Sequence, residues 1–301
     1  MPGQTLSQVR ALLAGAGLTP RHRFGQNFLI DLNLMRKAAA AAELSAADVV
    51  LEVGPGTGSL TELLLAPGAR VIAVEIDRGL QALLAAQFAG QPRFTLICGD
   101  ALATKHELNP ELISALQRAT PAERGARKLV ANLPYQIATP LLMELLYGDP
   151  PLERMVITIQ QEVAERLTAA PRTDAYGPLA VIMQSLAQLE RLARLPASAF
   201  WPRPAVESEL VRIRPRGVRA VAGRPTAGYV ALVRTWFQHR RKTLRRIARD
   251  AGVNDAEAAF ARSGISSDAR PEELSAADWE RLFGALPTVL GAGADAEKEP
   301  A

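Results

Sequence analysis

From residue 48 onward the chain alternates short apolar, β-branched runs with stretches of helical periodicity, and this alternation restricts the fold more than any other feature. Val49–Val53, Val71–Glu75, Phe94–Cys98, Lys128–Ala131 and Met155–Gln160 read as buried strands. Ser59–Leu65, Gly79–Phe88, Glu111–Arg118 and Thr139–Leu146 read as the helices between them. Strands that are apolar on both faces and separated by helices predict a mostly parallel sheet covered on both sides, which receives ligands at the C-terminal ends of its strands. Leu189–Leu195 and Val206–Ile213 flank the Pro-rich stretch 196–204 and alternate in period two, which predicts an antiparallel pair closing one edge.

Beyond this α/β region, Pro215 to Pro225 is rich in Gly, Pro and Arg and reads as a linker. Val233, Trp236, Phe237, Arg240, Leu244, Ile247 and Ala248 then follow helical spacing, and Ser275-Ala-Ala-Asp278 is a capping box opening a last helix through Trp279, Leu282, Phe283 and Leu286. The expected division is an N-terminal arm or helix over 1–22, an α/β domain over 23–215, a helical domain over 216–289 and a disordered tail over 290–301. With 301 residues, 48% of them hydrophobic and 22% charged, there is ample core for such a pair of domains and no case for a disordered or fibrous chain.

Charge distribution points to a polyanion partner. Net charge is only +4, yet residues 201–250 hold 13 Arg and Lys against 3 Asp and Glu, a local +10 that leaves −6 on the rest of the chain. Such asymmetry is the footprint expected of nucleic acid or an anionic surface. The preference for Arg over Lys is explained by codon bias; the clustering is not. A solvated cationic helix face is the plain alternative. No run of 18 apolar residues is present, and Ala11–Leu18, though apolar and small, lacks the flanking charges of a secretory signal. The single cysteine, Cys98, closes no internal disulfide, and His22, His106 and His239 share no ligand spacing. A cytoplasmic protein without a metal, and a monomer, is expected.

Leu51-Glu52-Val53-Gly54-Pro55-Gly56-Thr57-Gly58 is a strand running into a glycine-rich turn and then a helix. Glycines there permit a tight turn and let a ligand approach bare backbone. Ser59 stands where a dinucleotide fingerprint has its third glycine, and no Gly-Lys-Ser/Thr follows, so neither a dinucleotide loop nor a P-loop is matched. Glu75, at the tip of the second strand, can accept both hydroxyls of an adenosine ribose, and Asp100, after Gly99 at the third strand end, can meet an adenine amine. The fourth strand ends in Asn132-Leu133-Pro134-Tyr135: an amide oxygen, a proline without a competing N–H, and an aromatic face. That set suits a flipped base whose exocyclic amine must be held. Taken singly, each also fits a plain strand-end turn.

Asn132-Leu-Pro-Tyr135, followed by Gln-Ile-Ala-Thr-Pro-Leu-Leu, resembles the target-base motif of the adenine-N6 ribosomal RNA dimethyltransferases. Arg23-Phe-Gly-Gln-Asn-Phe-Leu29 is similar to their N-terminal signature, and Glu52–Gly58 to their S-adenosylmethionine loop. The resemblance continues through Gln160–Leu167, Tyr176-Gly177, Ser198–Pro204 and Phe237–Leu244, and covers the chain from about residue 19 to 289. The Phe237–Leu244 segment favours the KsgA family, which acts on small-subunit RNA, over the Erm enzymes of large-subunit RNA. The stretch Pro110–Arg127 is longer and more polar than the family pattern, and Trp201 stands where a smaller residue is usual.

The resemblance implies a Rossmann-like class I methyltransferase sheet with a smaller C-terminal helical domain. It implies S-adenosylmethionine as cofactor, contacted by Asn27, Leu29, Gly54, Gly56, Glu75, Asp100 and Asn132, with Asn132, Leu133, Pro134 and Tyr135 forming the catalytic turn. Tyr135 and Phe200 would flank the target adenine, and Arg241, Lys242 and Arg245 would grip RNA phosphates. The implied reaction is N6,N6-dimethylation of two adjacent adenosines in the 3′-terminal hairpin of 16S rRNA, within the small ribosomal subunit or its precursor and linked to its biogenesis. Three alternatives stay open: an Erm-like 23S rRNA methyltransferase, a non-enzymatic RNA-binding assembly factor on the same fold, and a nicotinamide-dependent oxidoreductase on the same scaffold.

Overall fold

A computed structural model of the chain describes residues 3–21, 24–105, 107–217 and 220–287. Its central sheet has seven strands: β1 (Val49–Val53), β2 (Arg70–Glu75), β3 (Phe94–Cys98), β4 (Arg127–Asn132), β5 (Arg154–Gln160), β6 (Ala187–Leu195) and β7 (Ser208–Pro215). The spatial order is β3-β2-β1-β4-β5-β7-β6. Neighbours among β1–β5 are parallel, and β7 runs antiparallel to β5, with Ser208 opposite Gln160 and Ile213 opposite Met155. At the edge, Arg191–Glu209, Arg194–Glu207 and Arg212–Glu190 pair β6 with β7 and the residue before it, and the partner numbers fall on one side as they rise on the other, as in an antiparallel pair.

Every residue of β1 is buried, as expected of a strand covered on both faces. Strand order reverses at β1, with β2 on one side and β4 on the other, so the loops after β1 and β4 diverge and leave a crevice. Helices α1 (Leu6–Gly15), α2 (Leu32–Ala41), α3 (Ser59–Leu65), α4 (Arg78–Gln87), α5 (Pro110–Arg118) and α6 (Ala138–Tyr147) belong to this part of the chain, and α7 (Gln161–Thr168) runs across its end. Asp77 caps α4 by accepting the N–H groups of Gly79 and Leu80, and Asn109 caps α5, whose Leu112 and Leu116 are buried. The polar 110–127 stretch thus contains an amphipathic helix.

The N-terminal arm or helix read over 1–22 contains α1, and its described part packs on the sheet unit: Val9 and Leu13 cluster with Phe28 and Leu80, and Arg21 pairs with Asp77 at 3.2 Å. Leu18 lies so close to α4 that a Cβ on Gly79 would sit 2.3 Å from its Cδ2.

Contacts divide the chain near the predicted boundary, at Gly217, but not into simple halves. Residues up to Ala164 group with Gln188–Gly217, whereas Glu165–Ala187 groups with the residues after Gly217. The second unit contains α8 (Pro178–Leu186), α9 (Thr226–Phe237), α10 (Leu244–Asp250), α11 (Ala256–Ser263) and α12 (Ala276–Ala285). Buried hydroxyls tie the inserted segment into it: Tyr176 donates to the Leu274 carbonyl at 2.6 Å, and Ser185 and Tyr229 share a 2.6 Å hydrogen bond. Trp236, Phe237 and Trp279 pack ring against ring in its core.

Two expectations change here. The supposed linker is ordered at its far end, where Ala220–Val221 pairs with Arg224–Pro225 and the Arg224 guanidinium lies 4.2 Å above the Phe283 ring. The helical pattern through 233–248 is two helices, because Gln238, His239 and Arg240 each donate to the carbonyl three residues back and tighten α9 to a close. Arg240, read as part of the apolar face, instead donates to the carbonyls of Thr173 and Asp174 at 2.9 and 3.1 Å. Among the described residues no helix is long and apolar enough to cross a membrane. The expected disorder of the tail, along with His22, Arg23 and His106, lies outside the described residues.

Candidate active site

One cavity opens at the C-terminal ends of β1 to β4. Its lining includes Asn27, Leu29, Gly54, Gly56, Glu75, Asp100, Asn132, Leu133, Pro134 and Tyr135, all ten of the residues assigned above to the cofactor and the catalytic turn. The loop after β1 forms one wall. Gly54, Gly56 and Gly58 have φ of 71°, 62° and 81°, a region that costs other residues about 1–2 kcal/mol. Space is tight as well: a Cβ on Gly56 would meet Phe28 Cδ1 at 2.9 Å, so something would have to shift, and one on Gly54 would press on Pro134 Cγ at 3.3 Å. The backbone is therefore bare toward the cavity.

Two buried carboxylates face this loop. Glu75 accepts the Asp77 N–H at 2.9 Å and the Gly56 N–H at 3.3 Å. Burial nevertheless pushes its carboxyl up to about 7, with the Asp77 charge adding and these N–H groups opposing. Glu52, only 1% exposed, accepts the Thr61 hydroxyl at 2.7 Å, and burial pushes it up to about 8 despite that bond, with the Glu75 charge adding. At the β3 end, Asp100 accepts the Leu102 N–H at 3.0 Å while its carbonyl accepts from Asn109.

Asn132 closes the opposite side. Its Nδ2 donates to the Asn27 carbonyl at 3.0 Å. A carbonyl needs a donor, so this contact fixes the amide orientation and leaves Oδ1 as the acceptor offered to the cavity. Leu133 N–H donates to Thr158 O at 3.1 Å, anchoring the turn to β5. The Tyr135 hydroxyl is hydrogen-bonded to Ser208 Oγ at 2.8 Å.

The structure does not bring Phe200 to the cavity wall. Its side chain is 3% exposed within the core cluster, and it pairs across the backbone with Leu29. The adjacent Trp201 faces the other way, stacked on Phe28 at 6.3 Å beneath the Arg10 guanidinium. Of the three basic residues assigned to RNA, Lys242 pairs with Asp250 at 3.1 Å and Arg245 with Asp268, whereas Arg241 is exposed and makes no ion pair among the described residues. Motif reading gave no role to Glu52, Phe28 or Ser208. Only Glu52 carried a signal, a lone charge inside the apolar run Val49–Val53.

Among the described residues the lining contains Glu52, Glu75 and Asp100 and neither Lys nor Arg. Carboxyls at these strand ends accept hydroxyl and amine donors and, where ionised, suit a cationic ligand. The bare glycine wall, the acid at the β2 tip and the free Asn132 oxygen all fit S-adenosylmethionine, an adenosine that carries a sulfonium and an amino acid. Fold and site together define a class I S-adenosylmethionine-dependent methyltransferase.

Comparison with known proteins specifies the branch: the family model for ribosomal RNA adenine dimethylase matches residues 17–287, and the chain belongs to that family. It is 41% identical over 279 residues to ribosomal RNA small subunit methyltransferase A of Phenylobacterium zucineum, covering 93% of this chain and 92% of that one. Its counterpart in Pelotomaculum thermopropionicum is 39% identical, covering 91% and 94%. Among solved structures, a dimethyladenosine transferase from Plasmodium falciparum shares the fold with TM-score 0.67 at 24% identity, covering 85% of this chain and 95% of that one. The 23S rRNA methyltransferase ErmE gives TM-score 0.61 at 27% identity, covering 86% and 99%. The chain is thus an S-adenosylmethionine-dependent enzyme that dimethylates adenine in ribosomal RNA.

Proposed function

We propose that the substrate is 16S rRNA in the small ribosomal subunit or its precursor, and that two adjacent adenosines of the 3′-terminal hairpin are each dimethylated at N6, by a monomeric cytoplasmic enzyme. The observation that carries the site reading is the Asn132–Asn27 contact, which leaves Asn132 Oδ1 free to accept an adenine N6–H. Support for the small-subunit substrate comes from the relatives named for it at about 40% identity, against 27% for the large-subunit enzyme ErmE.

S-adenosylmethionine supplies an activated methyl group, so the chain's task is chiefly alignment of the acceptor. Adenine N6 is a poor nucleophile because its lone pair is delocalised into the ring. Acceptance of its N–H groups by Asn132 Oδ1 and by a backbone carbonyl favours a pyramidal nitrogen, and both bonds strengthen as positive charge develops. The Pro134 carbonyl already accepts the Ile137 N–H at 3.2 Å, which makes the Leu133 carbonyl the better second acceptor. Tyr135 supplies the stacking face. Phe200 pairs through its backbone with Leu29 and packs in the same core cluster. Glu75 takes the ribose hydroxyls, Asp100 the cofactor's adenine amine, and Gly54 and Gly56 give bare backbone, with Asn27 and Leu29 alongside. No dedicated base is needed, because the cationic product loses its proton to water.

Arg241, together with the basic face around Lys242 and Arg245, binds phosphates without reading bases. Mass spectrometry of rRNA hairpin fragments from cells with and without the gene tests the assignment. Loss of dimethyladenosine from two adjacent small-subunit positions is expected; loss from large-subunit RNA overturns it in favour of the Erm-like reading, and no loss favours a non-enzymatic assembly factor.

A further inference from the structure

The first residue of β7 carries a hydroxyl that packing alone does not call for. Ser208 is 0% exposed, sits opposite Gln160 at the same end of the sheet as the cavity, and is hydrogen-bonded through Oγ to the Tyr135 hydroxyl at 2.8 Å across 73 residues of sequence. A buried hydroxyl without a partner is costly, so each of these two groups is held by the other. The turn two residues before Tyr135 is tied to β5 by the Leu133 N–H to Thr158 O bond, and the tip of the Tyr135 side chain is held by Ser208. The bond at the tip restrains the swing of the side chain about χ1 and so keeps the ring at one wall of the cavity.

We propose that Ser208 is a positioning residue that sets the Tyr135 ring for the second of the two methyl transfers to each adenine. This rests on the reading that Tyr135 stacks on the target base. The incoming adenine offers two N6–H donors, to Asn132 Oδ1 and to a backbone carbonyl of the turn. After one transfer the nitrogen retains a single N–H, so half of that directional grip is gone before the second begins. What remains to orient the monomethylated base is the stack, whose geometry depends on a fixed ring. A ring freed at its tip leaves the first transfer largely intact and handicaps the second. The expected signature is therefore in the product ratio more than in total activity.

The test compares Ser208→Ala, Ser208→Thr, Tyr135→Phe and the Ser208→Ala/Tyr135→Phe pair on 30S subunits lacking the modification, with the mono- and dimethyladenosine products quantified by mass spectrometry and cofactor affinity measured alongside. Ser208→Ala is expected to raise the fraction halted at monomethyladenosine about five- to tenfold, with unchanged cofactor affinity, and Ser208→Thr to restore the dimethyl product. Tyr135→Phe removes the same bond without touching the buried β7 site, so it should give the same ratio, and the pair should be no worse than either alone. Equal loss of both transfers, an unchanged ratio in Ser208→Ala, or additive effects in the pair overturn the proposal. Tyr135→Ala with wild-type activity instead overturns the stacking reading beneath it.

Discussion

The side-chain nitrogen of Asn132 donates to the backbone carbonyl of Asn27 at 3.0 Å, joining two motifs 105 residues apart. The bond decides which end of the amide faces the substrate, and so converts a symmetric-looking side chain into an acceptor. Asn132→Ala is expected to abolish methyl transfer while cofactor affinity falls only partly. Asn132→Asp sets a carboxylate against the Asn27 carbonyl and loses the donor, and a rate loss of about 10²-fold or more is expected. Methyl incorporation into 30S subunits and cofactor titration separate the two effects; near-wild-type transfer by either variant contradicts the assigned role.

Burial pushes the Glu75 carboxyl up to about 7 and the Glu52 carboxyl up to about 8. An ionised Glu75 accepts ribose hydroxyls better and attracts the sulfonium, so cofactor affinity should rise between about pH 6 and pH 8, with proton release on binding. Glu75→Gln should weaken binding and flatten the pH dependence. A pH-independent affinity in the native protein would falsify this.

The same shifts carry a stability consequence of definite sign. Both carboxyls are raised above the ordinary 4.5, so the stabilisation they give in protonated form is fully present below that value and is lost as pH rises through about 7 to 8. Tm should fall across this interval, and Glu52→Gln should level the fall. Calorimetry between about pH 5 and pH 9 reads both.

Gly56 combines φ of 62° with a Cβ position 2.9 Å from Phe28, whereas Gly90 has φ of 75° and open space around it. Gly90→Ala should cost only the backbone strain, about 1–2 kcal/mol. Gly56→Ala should cost more in Tm and also weaken the cofactor, because the displaced Phe28 lines its cavity. Equal effects of the two substitutions would show that the loop tolerates a side chain.

Binding to RNA should weaken steeply with salt, and removing a phosphate contact should reduce the slope of log K against log salt by about one. Arg241→Glu is expected to show this in full. Lys242→Glu should show less, since Asp250 already partners that ammonium at 3.1 Å. A larger change at Lys242 than at Arg241 would reverse the assignment of contacts on this face.

The inner strands were legible because they are apolar on both faces and stop at glycines or polar ends: Val49–Val53 is bounded by Gly54 and was readable to the residue. Phe94–Cys98, read as buried, is instead an edge strand with Thr95 and Cys98 exposed, since one of its sides has no neighbour. The position of the cavity was legible for a related reason, since crevices in such sheets open at the C-terminal ends of the parallel strands. Phe200 was not. Strand neighbours point to opposite faces, and a motif that supplies Phe200 and Trp201 together does not say which one turns into the core. Nor was the grouping of Glu165–Ala187, because α8 is apolar on most of its surface and nothing local says which core receives it. Ser208 and Tyr135, 73 residues apart, meet only through the β5–β7 register.

Because Glu165–Ala187 belongs with the residues after Gly217, the polypeptide passes between its two units three times, after Ala164, Ala187 and Gly217. The second unit is therefore not a detachable cassette. A fragment beginning at residue 218 lacks Ser185, the partner of Tyr229, and Tyr176, the partner of Leu274. Truncation at the apparent linker would leave the first unit whole but carrying a stranded Glu165–Ala187 segment, and the second unit without part of its core.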